Sequence, residues 1–273
     1  MSREPIAVLS REKLISVKYF RSYLNLAGKS KATGLDFISA RLFRESAGLI
    51  AGSLCSIFNF SINSDAFLQE WKCAKVITLF ILIQGDHSDL NNYRPISIIA
   101  VVAKVFARII YDQIYDYLIV NNIITGHQSG FRSLHSTVTA LLEATDNGAC
   151  NIERGIVNAV IFPDLKKAFD TVVHVILLSK FFEYGIGGIA HDWFKSYLEN
   201  RNQKCFDNGS LSHSKFLTCG IPKGTILGPL LFILYINDLS NCLSNDLARM
   251  YADILTQPLP ATTLKLIYRF SQA

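Results

Sequence analysis

Charge is sparse in this chain. Only 18% of its 273 residues are Asp, Glu, Lys or Arg, against 50% hydrophobic. A disordered, self-repelling polypeptide needs the opposite balance, so a packed globular protein of one large or two ordinary domains is expected. The net charge is only +5, which permits a phosphate-bearing partner without requiring one. The six cysteines, at 55, 73, 150, 205, 219 and 242, show no metal-knuckle spacing, and the chain is too long for a disulfide-stapled miniprotein. They read as reduced, intracellular thiols. The start, MSREPIAVLSREK, has charges where a signal peptide needs an apolar core. The longest apolar runs, residues 76–83 and 226–236, are too short to cross a bilayer. The expectation is a soluble intracellular protein with no membrane, in cytoplasm or nucleus. No period of 20–50 residues and no low-complexity tract is visible, which excludes solenoids and arrays.

What is present is a mixed pattern of helices and short strands. Residues 11–26 carry Leu14, Ile15, Tyr19, Tyr23 and Leu24 at helical spacing. GKSKATG (28–34) is a basic turn, and Asp36 could cap a helix through Ile38, Leu42 and Phe43. A second apolar helix spans about 49–62, and WKCAKVITLFILI (71–83) reads as a strand. NNYRPIS (91–97) reads as a polar turn in which Pro95 steers Arg94 away from helical geometry, and Arg suits bidentate phosphate contact. Val102, Phe106, Ile109, Ile110, Ile114 and Leu118 form the stripe of an amphipathic core helix. Helices are also expected over 135–153, over 174–184 and around Trp193, with a hairpin at Asn208-Gly209.

Three stretches carry the chemistry. In VNAVIFPDLKKAFDTVVH (157–174) an apolar strand ends at Asp164. An ionised carboxylate there needs cations or a metal, or it caps a helix. GIPKGTILGPLLFILYIN (220–237) is a Gly/Pro turn around Lys223 that could bring backbone close to a flat ligand, or could be a helix entrance. MYAD (250–253) puts Asp253 after apolar residues, at a hairpin tip. Two such carboxylates side by side would offer the oxygen donors that Mg²⁺ takes. GHQSGFR (126–132) combines an aromatic and an Arg in a Gly-flanked loop, which suits base stacking or an ordinary turn equally.

In this order and at these intervals, IFPDLKKAFDTVVH, GIPKGTILGPLLFILYIND and MYAD resemble the palm motifs of a reverse transcriptase. NNYRPIS and GHQSGFRS resemble the finger motifs of its non-LTR, LINE-like class. The resemblance runs from about residue 31 to 253. It implies an α/β (α+β) right-hand polymerase fold: fingers and a partial palm, an antiparallel palm sheet backed by helices, and no thumb. It divides the chain into an N-terminal helical extension (1–75), fingers and palm (76–253) and a tail (254–273). It implies that Asp164 and Asp253 are catalytic and hold two Mg²⁺ ions, or Mn²⁺ in their place. It places Arg94, Phe169, Lys223 and Gly224 at the nucleotide, with Phe169 screening the sugar 2′ position, and it gives Gln128, Phe131 and Arg132 to nucleic acid. The implied partners are an RNA template, a DNA primer and deoxynucleoside triphosphates; no protein partner is indicated.

The chain departs from the family pattern at Pro163 (usually Leu), Val173 (usually Asp), Lys223 (usually Gln) and Ile254 (usually the third catalytic Asp). The tail, ILTQPLPATTLKLIYRFSQA, resembles nothing in the family. Read as a frame shifted by one base after Asp253, with permitted codons chosen throughout, Ile254 to Phe270 can be decoded back to DTHSTFASNDIEINLSF, which restores an Asp. A truncated copy that lacks polymerase activity is therefore expected, its tail poorly ordered or only loosely packed on the palm. The alternatives are a nucleic-acid-binding remnant and, from another class, a two-carboxylate hydrolase. The hydrolase accounts for neither the Gly-Pro-Lys-Gly turn nor the NYRPIS loop.

Overall fold

The structure, a computed structural model, describes residues 15–26, 32–80, 86–89, 92–155, 159–161, 165, 167–242, 249–252 and 254–259. In chain order its elements are α1 (Val17–Leu26), α2 (Ala40–Glu45), α3 (Ala47–Asn63), β1 (Cys73–Phe80), β2 (Tyr93–Ile98), α4 (Val101–Val120), α5 (Thr137–Glu153), β3 (Ala159–Ile161), α6 (His174–Glu183), α7 (Gly188–Leu198), β4 (Asn202–Asp207), β5 (Ser210–Leu211), β6 (Lys215–Phe216), α8 (Leu227–Tyr235), β7 (Arg249–Tyr251) and β8 (Ile254–Leu259). This is the mixed α/β class expected. No helix among the described residues is long and apolar enough to cross a membrane.

The chain forms two compact units. The first comprises Met1–Asn121 and Phe169–Phe232, the second Asn122–Ala168 and Ile233–Ala273. The first unit is organised on α4. Its whole expected stripe, Val102, Phe106, Ile109, Ile110, Ile114 and Leu118, is buried, as a 3.6-residue period dictates. Phe106 stacks on Phe58 of α3, with centroids 4.2 Å apart, and meets Trp193 of α7 edge-on at 5.4 Å. The Trp193 indole N–H, buried, donates to Ser61 Oγ at 3.1 Å. The sheet of this unit runs β2-β1-β4-β5, with β6 also paired to β4. Its hairpin turns at Asn208 and Gly209, both at positive φ (47° and 82°), the conformation of a tight two-residue β-turn.

The second unit holds α5 and a three-stranded sheet in the order β3-β8-β7. Ser136 caps α5, accepting from Thr139 N–H at 3.1 Å, while the Thr139 hydroxyl accepts from Ser136 N–H at 2.9 Å. The strands β3 and β7 are each antiparallel to β8, with Ile161 opposite Gln257 and Tyr251 opposite Ile254. They therefore run in the same direction.

Four local expectations need correction. The segment expected as a polar turn at 91–97 supplies β2, antiparallel to β1, with Pro95 opposite Thr78. β2 ends the sheet, and an edge strand tolerates a residue without N–H. Trp71 and Lys72 belong to a 3₁₀ turn, Gln69–Lys72, and the strand begins only at Cys73. The cap of α2 is Ser39, which accepts from Leu42 N–H at 3.2 Å, whereas Asp36 accepts from Ile38 N–H at 3.3 Å. Asp36 is too far ahead of Ala40 to cap, so it closes a turn instead. The tail is not wholly loose, because Ile254–Leu259 is the central strand β8. Backbone pairing uses main-chain groups, and Ile, Leu and Thr at its start are compatible with strand geometry.

Candidate functional site

In the first unit three expected residues, Phe169, Lys223 and Gly224, are held together beside β2, the strand that carries Arg94. The Gly220–Gly224 turn docks on the outer edge of β2, where Ser97 N–H donates to the Lys223 carbonyl at 2.9 Å. A Cβ on Gly224 would lie 3.1 Å from Ile96 Cγ2, and the residue sits at φ +84°. The left-handed backbone favours glycine there, and a side chain would also press on Ile96. Arg94, two residues before Ile96 on β2, is exposed. The segment from Phe169 to His174 is stitched to the same turn. Ile221 N–H donates to the Phe169 carbonyl and Gly220 N–H to the Val172 carbonyl, each at 2.8 Å. The Lys223 ammonium meets Asp170 Oδ2 at 2.6 Å. The Phe169 ring stacks on buried Phe232, centroids 4.6 Å apart and planes 21° from parallel, which settles its direction.

In the second unit the GHQSGFR loop lies along β7. Met250 N–H donates to the His127 carbonyl at 2.7 Å and Ser129 N–H to the Met250 carbonyl at 2.8 Å. Gln128 is 1% exposed. Its Oε1 accepts from the N–H groups of Gly130 (2.7 Å) and Ala252 (3.1 Å), and its Nε2 donates to the Ala252 carbonyl at 3.4 Å. Arg132 Nη1 donates to the carbonyls of Thr125 and Gln128, both at 3.0 Å. Of the three side chains assigned to nucleic acid, Phe131 is the exposed one, at φ +57°, while the amide of Gln128 is engaged with backbone. Asp164 and Asp253 lie outside the described residues, as does the Lys29–Lys31 stretch. Their flanking elements are described: β3 and β7 reach their C-terminal ends at the same end of the sheet, the end where β8 begins.

Behind this loop Arg249 on β7 holds Glu143 of α5, Nε to Oε1 at 2.7 Å, and its Nη1 is 2.9 Å from His127 Nδ1. The hydrogen bond from Arg249 keeps the Glu143 carboxyl below the ordinary carboxylate range, against an opposing effect of burial.

Four residues escaped the sequence reading. Asp170 pairs Lys223. Asn237 donates to the Ile123 carbonyl at 2.8 Å and accepts from Thr125 N–H at 2.9 Å, tying down the start of the loop. Gly130 is pressed so closely to Ala252 that a Cβ would lie 2.1 Å from its nitrogen. Ala252 itself takes φ +55°. A signal existed for Gly130, as glycine inside a motif marks close approach, but Asp170 and Asn237 depend on partners distant in sequence.

A family model described as reverse transcriptase (RNA-dependent DNA polymerase) matches residues 85–256. The chain is 30% identical over 200 residues to a probable RNA-directed DNA polymerase from transposon BS of Drosophila melanogaster, over 68% of this chain and 20% of that protein. It is 29% identical over 212 residues to the RNA-directed DNA polymerase from mobile element jockey of Drosophila funebris, over 77% of this chain and 23% of that protein. With the retrovirus-related Pol polyprotein from type-1 retrotransposable element R1 of Bradysia coprophila it shares 25% identity over 209 residues, 77% of this chain and 20% of that protein. The chain thus spans about a fifth of the length of these relatives. With more than half of its length matched by that family model, this chain belongs to the reverse transcriptase family, in its non-LTR retrotransposon class.

Proposed function

We propose that residues 76–253 are the fingers and partial palm of an RNA-directed DNA polymerase, preceded by a helical extension (1–75) and followed by a tail of shifted frame (254–273). The reaction class is nucleotidyl transfer to a DNA primer from deoxynucleoside triphosphates on an RNA template. The observation that carries this reading is the three-stranded sheet, whose two flanking strands, running in the same direction, lead into Asp164 and toward Asp253. Asp164 and Asp253 are the residues that would hold the ions, since carboxylates are the hard oxygen donors that Mg²⁺ or Mn²⁺ takes. The chemistry that such ions would supply is activation of a 3′ hydroxyl and neutralisation of the leaving pyrophosphate. The chain's own residues do the rest. Arg94 and Lys223 present cations to the triphosphate, and Gly224 lets backbone approach the template-primer. The Phe169 ring, set by Phe232, lies beside the ribose and excludes a 2′ hydroxyl by sterics. Phe131 offers a stacking face to nucleic acid, with Gln128 and Arg132 shaping the loop under it.

Ile254 stands where the family has an acid, so bound ions would keep excess positive charge, and a few kcal/mol of lost stabilisation removes orders of magnitude in rate. The copy therefore binds nucleotide and nucleic acid without extending primers. Primer extension on poly-rA with oligo-dT, beside Asp164→Asn, tests this; the expected result is no product above that control. A robust product abolished by Asp164→Asn overturns the inactivity and keeps the family chemistry. Mn²⁺ binding that Asp164→Asn leaves intact overturns the site. The coding DNA tests the tail: one base added after the Asp253 codon should open a frame beginning with Asp.

A further inference from the structure

Arg201 sits between the end of α7 and the start of β4 and is 1% exposed. Its backbone is fixed on both sides: its carbonyl accepts from Leu217 N–H at 2.9 Å, and Asn202, next to it, is paired with Cys73 of β1 and Phe216 of β6. Its side chain is fixed as well. Nη1 donates to the Tyr197 carbonyl at 3.0 Å, and the guanidinium carbon lies over the Tyr197 ring, 4.7 Å from the centroid. That leaves Nε and Nη2, which together form the side-on edge of the guanidinium. Both are buried and have no hydrogen-bond partner among the described residues, and the same holds for the Tyr197 hydroxyl. Lys72, at the end of the Gln69–Lys72 turn, is 5% exposed, and its ammonium donates to Ser196 Oγ at 3.4 Å. Burial, then the nearby Arg201 charge, push its amine down. Neither cation has a carboxylate within ion-pair distance among the described residues. Glu199 is exposed and acts on Lys72 only through its charge.

We propose that the Arg201 edge and the Lys72 ammonium form a buried site for one small oxyanion, a carboxylate or an inorganic phosphate. The side-on edge of a guanidinium offers two parallel N–H donors, the arrangement that takes two oxygens of such a group at once. Neighbouring cations away from water repel each other, and each here lacks the partner that normally accompanies a buried charge. One oxyanion removes both penalties and accepts from the orphaned donors. A water molecule would satisfy N–H groups but would leave the two charges uncompensated. A nucleic-acid phosphate does not fit, because it carries two ester chains and the edge is 1% exposed. Gln69 and Asn200, both exposed, are joined by one hydrogen bond of 3.1 Å, which ties together the two segments that carry the cations. Opening at that bond admits a small ion. Neither Lys72 nor Arg201 belongs to the nucleotide cluster, so the proposal stands apart from the polymerase reading.

The test is thermal melting of the full chain in a phosphate-free zwitterionic buffer, with inorganic phosphate added to about ten times its half-saturating concentration. The wild type should gain about 3 °C or more, and the gain should level off. Arg201→Lys keeps the charge and loses the fork, and Lys72→Met loses the second cation. Each should need about tenfold more phosphate, or more, for half the gain. If Arg201→Lys does not fold, Lys72→Met carries the comparison, since removing a buried ammonium does not endanger the fold. A parallel titration with acetate separates the two classes: the ion that half-saturates at the lower concentration is the one the site takes, and either order supports the proposal. Exclusion of phosphate from protein surfaces would raise all three melting points alike without saturating, and that result overturns it. A wild type indifferent to both ions also overturns it, and a loss of stability in Glu199→Gln would then identify Glu199, turned inward, as the partner of the cations.

Discussion

Gln128 grips both backbone groups of Ala252, its Oε1 accepting from the N–H at 3.1 Å and its Nε2 donating to the carbonyl at 3.4 Å. Ala252 is the residue before Asp253 and sits at φ +55°, a conformation that a residue with a Cβ adopts at a cost of order 1 kcal/mol. The buried amide offsets that cost and holds the tip of the β7–β8 hairpin.

Gln128→Ala should therefore destabilise the second unit by about 1–3 kcal/mol, since it strands buried backbone groups. Gly130→Ala should be worse, because its new Cβ would lie 2.1 Å from the Ala252 nitrogen and the backbone must move. Urea unfolding followed by hydrogen exchange at Ala252 checks both. A protected Ala252 amide in Gln128→Ala would show that the grip is not needed.

At the start of α6 the N-cap is Val173, which makes no side-chain cap hydrogen bond. Val cannot accept a hydrogen bond, so the first N–H groups lack the partner that Asp provides. Val173→Asp should raise stability by about 1 kcal/mol, and the same gain from Val173→Ala in thermal melts would argue against a capping cause.

Glu143 gives a pH dependence. Its folded carboxyl is held below the ordinary range by the hydrogen bond from Arg249. The stabilisation is present above the unfolded value, near 4.3, and is lost as pH falls through the lower folded value. The pair is half exposed, so it is worth no more than about 1 kcal/mol. Wild type and Glu143→Gln should differ in urea midpoint at pH 6 and converge toward pH 3; a constant gap would exclude this pair as the cause.

Lys72 works in the opposite sense. It is 5% exposed, and burial, then the nearby Arg201 charge, push its amine down from the usual lysine value. At neutral pH the folded state carries the cost of a buried ammonium. Between the lowered folded value and the unfolded value, near 10.4, the unfolded chain binds more protons, so stability rises with pH. Lys72→Met should stabilise the protein at pH 7 and flatten that rise, as read from urea midpoints at pH 7 and pH 10.

Much of this architecture is legible in the sequence. The α4 stripe, the Asn208-Gly209 turn and the Gly220–Gly224 turn follow from near-neighbour sterics: a 3.6-residue period, tolerance of positive φ, the absence of a Cβ. NYRPIS reads as a turn because a strand is defined by its partner. Pro95 announces extended backbone, but only β1, lying alongside, makes it a sheet edge. β8 was missed for the same reason, since its pairing draws on main-chain groups that every residue carries.

The residue order by itself determined the family, through motif types and spacing that survive any rearrangement in space, and with it the list of candidate acids, cations and rings. Only the tertiary structure decided what those groups touch. Gln128 meets Ala252 across 124 positions and Lys223 meets Asp170 across 53. Contacts at such separations are set by how the elements pack, because local conformational preference extends only a few residues along the chain while a buried amide must find whatever backbone the fold brings to it.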